Sequence, residues 1–248
     1  MPAGPFYGTF IEYWPASVAA LSMPQVGTVL GDADAELIAS CVELGGVCPS
    51  RFSAALTSWL HRVTQAWSQG VFLRLGGRSF VLPARPPVPV TTAGQALQVL
   101  AFPGERAARM ARRCVLAGRP LWLFARHWRS ITPEEEFRLV VRNRQITAAS
   151  QIHHRLCFPG LAGRADAVAR RIVRFGARLG PVLHLDDVIA DVWVPFDDTA
   201  GVELIELNPL MSVTGRALLE GAVTGAHPRA LHFRQPHGPI GIVPLPPS

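Results

Sequence analysis

The sequence predicts an α+β fold, on three observations. Apolar residues recur at helical spacing in some stretches, while others alternate as strands joined by short turns. Helices and antiparallel hairpins follow one another in pairs, which argues against a doubly wound parallel sheet. With 248 residues and 49% hydrophobic content, the chain is long and apolar enough to bury a substantial core.

The elements follow in order. Residues 1–30 are rich in Pro and Gly, and their aromatics Phe6, Tyr7, Phe10, Tyr13 and Trp14 are read as packing. The stretch DADAELIASCVELGG predicts a helix capped by Asp32 or Asp34 and stopped by Gly45-Gly46. A second helix carries Phe52, Leu56, Trp59, Leu60, Val63 and Trp67 on one face and ends at Gly70. GVFLRLGGRSFVL (70–82) reads as a strand, a Gly-Gly turn and a second strand. PARPPVPV (83–90) is a loop or edge, because proline cannot sit in a central strand. Residues 92–119 return to helix, and Arg106, Arg109, Arg112 and Arg113 line one side of it as a solvated face.

PLWLFARHW (120–128) is an apolar strand that turns basic, and EFRLVVRNRQITAASQ (136–151) is a hairpin around Arg142-Asn143-Arg144. Residues 165–179 predict an amphipathic helix. Val168, Ile172, Phe175 and Leu179 face inward; Arg170, Arg171, Arg174 and Arg178 face mostly outward. DVIADVWV and VELIELNP form a second hairpin across PFDDTAG, and the last 22 residues read as a tail or a draped edge.

Composition narrows the chemistry. The chain has no Lys, so all 24 basic residues are Arg, and the net charge of +6 with a pI near 10.1 favours polyanionic ligands. Any phosphate-binding task usually given to Lys falls to the planar guanidinium fork. Cys41, Cys48, Cys114 and Cys157 are scattered without a CxxC pair, which excludes a disulfide scaffold and a structural zinc site of that kind. No apolar run reaches transmembrane length, and no basic n-region precedes the short apolar stretch between Pro15 and Pro24. These features predict a soluble, cytoplasmic protein with no membrane association.

The most informative stretch is VELIELNP. On a regular strand, Leu204, Glu206 and Asn208 share one face. A hairpin centred between Asp198 and Thr199 sets Asp191 opposite Glu206, with their Cβ atoms about 5 Å apart. Two carboxylates buried so close repel unless one protonates or a cation joins them. Asn208 adds a neutral oxygen about 7 Å along the same face. Hard oxygen donors, too few to fill a coordination shell, suit Mg²⁺ with substrate phosphates as the remaining ligands.

GVFLRLGGRS, FARHW, EFRLVVRNRQITAASQ, IADVWV and LIELNPLMSVTG, taken in this order, resemble the cell division cycle protein 123 family, a branch of the ATP-grasp superfamily. The likeness runs from about Gly70 to Gly221. It implies an ATP-grasp-like fold of two lobes, with antiparallel sheets and flanking helices enclosing a nucleotide cleft. Residues 1–69 would be an N-terminal helical region, 70–125 the nucleotide-binding lobe, 126–225 the catalytic and metal-binding lobe, and 226–248 a Pro-rich tail. The resemblance implies ATP and Mg²⁺ as cofactors, with Asp191, Glu206 and Asn208 as metal ligands. It places Arg138 at the phosphates or the reacting group, where fixed positive charge stabilises developing negative charge. The plainer reading of Arg138 is an ion pair with Glu136. Arg126 would lie near the hinge between lobes. The family's Ser-Pro-Lys-Asp type stretch is RSFVLPARPP here, so Arg74 or Arg78 would stand in for the nucleotide-binding Lys. FARHW also lacks the charged residue the family usually has before Trp.

The resemblance implies an ATP-dependent carboxylate–amine ligase acting through an acylphosphate on an unidentified carboxylate and amine. The alternative is a non-catalytic ATP-binding assembly factor for a protein client, the role of eukaryotic members with a translation initiation factor. Nucleic-acid binding ranks third, because the aromatics follow helical apolar patterns and do not interleave with Arg. A transition-metal cluster built from His153, His154, His127 or His184 ranks below all of these.

Overall fold

The structure is a computed structural model that describes residues 6–80, 87–197, 199–211, 217–219, 229–235 and 239–247. Contacts divide the chain into two compact units: Pro24–Arg129, and Met1–Met23 together with Ser130–Ser248. In the second unit two 3-10 turns, Tyr7–Thr9 and Ile11–Tyr13, precede a single α-helical turn, α1 (Ala16–Ala19). In its N-terminal segment Phe10 and Trp14 are buried, while Tyr13 is exposed.

The Pro24–Arg129 unit contains, in order, β1 (Gln25–Val29), α2 (Asp32–Leu44), α3 (Ala54–Ala66), β2 (Val71–Leu75), β3 (Arg78–Ser79), α4 (Ala93–Ala101), α5 (Gly104–Leu116) and β4 (Trp122–His127). Its strands are antiparallel in the order β1-β4-β2-β3. Val71, Leu73, Leu75, Leu123 and Ala125 form a fully buried sheet face. Helix α3 buries Leu56, Leu60 and Val63. Two local expectations change. The helix expected over 92–119 breaks after Ala101, because Pro103 lacks the N–H that would continue it and Gly104 turns left-handed at φ 72°. Asp34 does not cap its own helix, whose N-cap is Gly31 without a side-chain bond. Instead its buried carboxylate accepts the Ser53 N–H at 2.8 Å and the Ser53 hydroxyl at 2.6 Å. Ser53 Oγ in turn accepts the Leu56 N–H at 3.2 Å, capping α3. Ser53→Ala should therefore cost about 1–2 kcal/mol, read as a lower urea midpoint with an unchanged slope.

The other unit adds β5 (Glu136–Arg142), β6 (Gln145–Gln151), α6 (Pro159–Ala162), α7 (Ala165–Leu179), β7 (Val188–Trp193), β8 (Glu203–Pro209), β9 (Ala230–Arg234) and β10 (Ile240–Pro244). These strands make one mixed sheet, β10-β9-β6-β5-β7-β8, in which only the β6–β9 pair is parallel. The β5–β6 turn uses Asn143 and Arg144 at φ 47° and 62°, the left-handed pair that a tight hairpin needs. Asp186 and Asp187 hold that turn through the Arg144 guanidinium and the Asn143 N–H. Helix α7 buries Val168, Ile172, Phe175 and Leu179, the stripe read from the sequence.

The chain's end, expected as a tail or a draped edge, enters this sheet as strands. Within the last 22 residues, Ala230–Arg234 and Ile240–Pro244 are strands, and Ala230, Leu231 and Phe233 are buried. Alternating apolar residues between prolines had been masked by the Pro and His content.

The β7–β8 hairpin shows a second departure. Asp191 lies opposite Glu206 as expected, but the register shifts beside it, and Val192 lies opposite Leu204. Ile205 is the extra residue of a β-bulge. Cross-strand partners share a face, so Leu204 turns away from Glu206 and is fully buried on the Val192 side. The expectation that Leu204, Glu206 and Asn208 share one face therefore fails at Leu204.

Candidate metal centre

The centre is assembled by register. Arg138 on β5 pairs with Ser150 on β6 and with Asp191 on β7; Asp191 pairs with Glu206, and Ser150 with His232 on β9. His232, Ser150, Arg138, Asp191 and Glu206 thus form a row across one face of the sheet, one residue per strand. Ser150, His232 and Asp191 are buried. The opposite face of the same strands carries Phe137, Leu139, Ala190 and Val192, all fully buried. Strand alternation therefore separates a polar face from an apolar core.

The polar face is closely bonded. Arg138 Nε donates to Asp191 Oδ1 at 2.7 Å and Nη2 donates to Oδ2 at 2.6 Å, a two-point ion pair. The side chains are 15% and 4% exposed, so the pair is largely shielded from water. Asn208 Nδ2 donates to Glu206 Oε1 at 2.9 Å and to Asp191 Oδ2 at 3.4 Å. Burial pushes the Asp191 carboxyl up most strongly; Arg138 pulls it down, Glu206 pushes it up again, and the balance lies at about 7. Burial alone would lower the Arg138 guanidinium, but Asp191 and Glu206 hold it above its usual range.

The plainer reading of Arg138, an ion pair with Glu136, gives way to Asp191. Glu136 faces His153 instead, at 3.6 Å, and raises the imidazole above its ordinary value. His184 bonds the Gly8 carbonyl, and His127 contacts Arg129. Among the described residues, no three His, Cys, Asp or Glu side chains converge as a metal cluster.

A hard divalent cation fits the arrangement. Two carboxylates face each other across a strand pair, and an amide lies against both. Turning the Asn208 amide over would present its oxygen in place of its N–H groups. Two carboxylates and an amide would leave about half of an octahedral Mg²⁺ shell to water and phosphate.

The remaining candidate arginines, Arg74, Arg78 and Arg126, lie in the Pro24–Arg129 unit. Arg126 pairs with Phe72, and Arg74 with Phe124, so Arg74 and Arg126 share one sheet face, and both are buried. Arg78 pairs with Leu75 and belongs to the other face. The structure thus brings Asp191, Glu206, Asn208 and Arg138 together, and separately aligns Arg74 with Arg126 but not Arg78. Sequence reasoning missed Ser150 and His232. Ser150 accepts the Leu218 N–H at 3.2 Å and donates to the Gln151 carbonyl at 2.9 Å. Its position in the Ser-Gln hairpin end was the available signal.

The D123 family model matches residues 112–220, which include Arg138, Asp191, Glu206 and Asn208. The chain has the fold of Cdc123 from Schizosaccharomyces pombe, with a TM-score of 0.72, 13% identity, and 90% of this chain and 93% of that one covered. A C-terminally truncated form of the same protein aligns at a TM-score of 0.70 and 14% identity, covering 89% and 91%. A RimK domain ATP-grasp protein from Sphaerobacter thermophilus aligns at only 0.40 and 12% identity, over 88% of this chain and 63% of that one. No curated protein matches by sequence. Among the described residues, no helix is long and apolar enough to cross a membrane.

Proposed function

We propose that this protein binds Mg-ATP through Asp191, Glu206, Asn208 and Arg138 and uses it to join a carboxylate to an amine in the cytoplasm. The observation that carries the reading is the buried Asp191 carboxylate facing the half-buried Glu206 across the strand pair, with Arg138 and Asn208 bonded to them. Bound Mg²⁺ would neutralise and orient the ATP phosphates. Arg138 adds a fixed guanidinium beside the transferring phosphoryl group. A substrate carboxylate oxygen attacks the γ-phosphorus, the bond to ADP breaks, and an acylphosphate forms. The amine nitrogen then attacks the acyl carbon, phosphate leaves, and the nitrogen loses a proton. No side-chain nucleophile is needed, so the work of the residues is positioning and charge neutralisation. Arg74, rather than Arg78, takes the place of the family lysine, because it shares a buried face with Arg126.

The second reading, an ATP-binding assembly factor for a protein client, is supported by the match to Cdc123 across nearly the whole chain. Calorimetric titration of ATP with and without Mg²⁺ tests the shared part of both readings. Binding should require Mg²⁺ and should be lost in Glu206→Gln. The fate of the nucleotide then separates them: ADP and phosphate with carboxylate and amine mixtures mean a ligase, and intact bound ATP means a binding module. Unchanged binding in Glu206→Gln would remove the carboxylate pair from both.

A further inference from the structure

Helix α7 turns one charged residue inward. Arg171 was expected on the outer face, yet it is only 8% exposed. Its guanidinium donates to the carbonyls of Pro195 and Ala200, and to that of Asp197 at 3.3 Å. All three belong to the connection between β7 and β8. Pro195 lies just beyond β7 and Ala200 just before β8, so one rigid fork spans both limbs of the connection.

Glu135 grips the same connection elsewhere. Its Oε1 accepts the Phe196 N–H at 2.7 Å, its Oε2 the Trp193 indole N–H at 3.2 Å, and its main-chain carbonyl the Val194 N–H at 2.8 Å. The Arg164 guanidinium sits 4.8 Å from the centre of the Phe196 ring. Asp197 folds its own turn by accepting from the Thr199 N–H and hydroxyl at 2.9 and 2.8 Å.

Such bonding matters because the hairpin has a competing register. With a connection one residue longer, the bulge would vanish: Val192 would face Ile205, and Trp193 would face Leu204. Asp191 would still oppose Glu206, but without the bend and extra twist that a bulge imposes on its strand. A fork bonded to both limbs fixes the length of the connection and excludes that register. We propose that Arg171 is a positioning residue for the metal centre: by spanning the β7–β8 connection it holds the bulge at Ile205, and thereby the aim of Glu206 at Asp191. Its metal consequence rests on the Mg-ATP reading; its structural consequence does not.

The test uses Arg171→Met and Arg171→Lys in the full chain, with two readouts. One is the cross-strand partner of Val192, from nuclear Overhauser contacts. The other is the Mg²⁺ concentration that gives half of the ATP-induced thermal shift. In the wild type Val192 should contact Leu204. In Arg171→Met it should gain Ile205 as a partner, and the Mg²⁺ midpoint should rise roughly ten- to a hundredfold, as when a group that orients a metal ligand is lost. Arg171→Lys keeps the charge but cannot bond both limbs as a fork, so it should show a smaller rise. It decides the matter if Arg171→Met does not fold. A folded variant with the wild-type register would overturn the proposal, as would a lowered melting temperature with an unmoved midpoint. If the wild type itself shows no Mg²⁺-dependent shift, the ATP reading fails, and the partner of Val192 alone decides the role of Arg171.

Discussion

Arg138→Met should destabilise the fold by about 3–5 kcal/mol near pH 8, because it strands a buried carboxylate. Asp191 is 4% exposed at its side chain, and both of its oxygens accept from Arg138. With the guanidinium gone, Asp191 and Glu206 face each other with less positive charge beside them, and Asp191 must take up a proton to stay buried. Protonation is easier in acid, so the loss should be smaller near pH 5 than near pH 8. The double variant Arg138→Met/Asp191→Asn should regain part of the stability, since it buries a neutral amide in place of a charge. Urea unfolding of the three proteins at both pH values measures this. A loss that is equal at both pH values, with no recovery in the double variant, would mean that the ion pair does not hold the centre.

The second large effect is a pair of opposite pH trends. The folded-state Asp191 carboxyl is raised to about 7 from its ordinary 3.8. Between those values the folded protein holds a proton that the unfolded chain has released. Without nucleotide, the contribution of Asp191 to stability is therefore fully present below about pH 4 and is lost as pH rises towards about 7. On the Mg-ATP reading, Mg²⁺ would compete with that same proton. Its apparent affinity should therefore fall with acidity below pH 7, by up to about tenfold per pH unit. The ATP-induced thermal shift at fixed Mg²⁺ should grow from about pH 6 to about pH 8, while the nucleotide-free melting temperature moves the other way. Parallel trends would mean that Asp191 is not the titrating ligand.

The parts of this site that were legible in the sequence follow from periodicity. Opposing Asp191 to Glu206 required only the alternation of a strand and the centre of a hairpin. What escaped is what alternation cannot encode. The bulge at Ile205 adds one residue without any local signature such as Gly, so Leu204 was assigned to the wrong face. Strand β9 and the β6–β9 pairing join residues distant in the chain, and nothing local to Ala230–Arg234 announces a parallel partner. Arg171 is the instructive case. It lies three residues after Val168 and four before Phe175, inside the apolar stripe, so its burial was readable from spacing. Its charge led it to be counted with its exposed neighbours Arg170 and Arg174. Proposing Asp191, Glu206 and Asn208 as metal ligands draws on the resemblance as well: geometry alone permits a facing carboxylate pair that simply shares a proton.

Thermal unfolding of the wild type and of Asp191→Asn, each with and without millimolar Mg-ATP, decides whether this pair is a nucleotide centre. A ligand at about a hundred times its dissociation constant stabilises the folded state by about 2.7 kcal/mol. The expected result is a clear upward shift in the wild type that needs Mg²⁺ and disappears in Asp191→Asn. An equal shift in both proteins, or none in the wild type, would contradict a Mg-ATP site at Asp191 and Glu206.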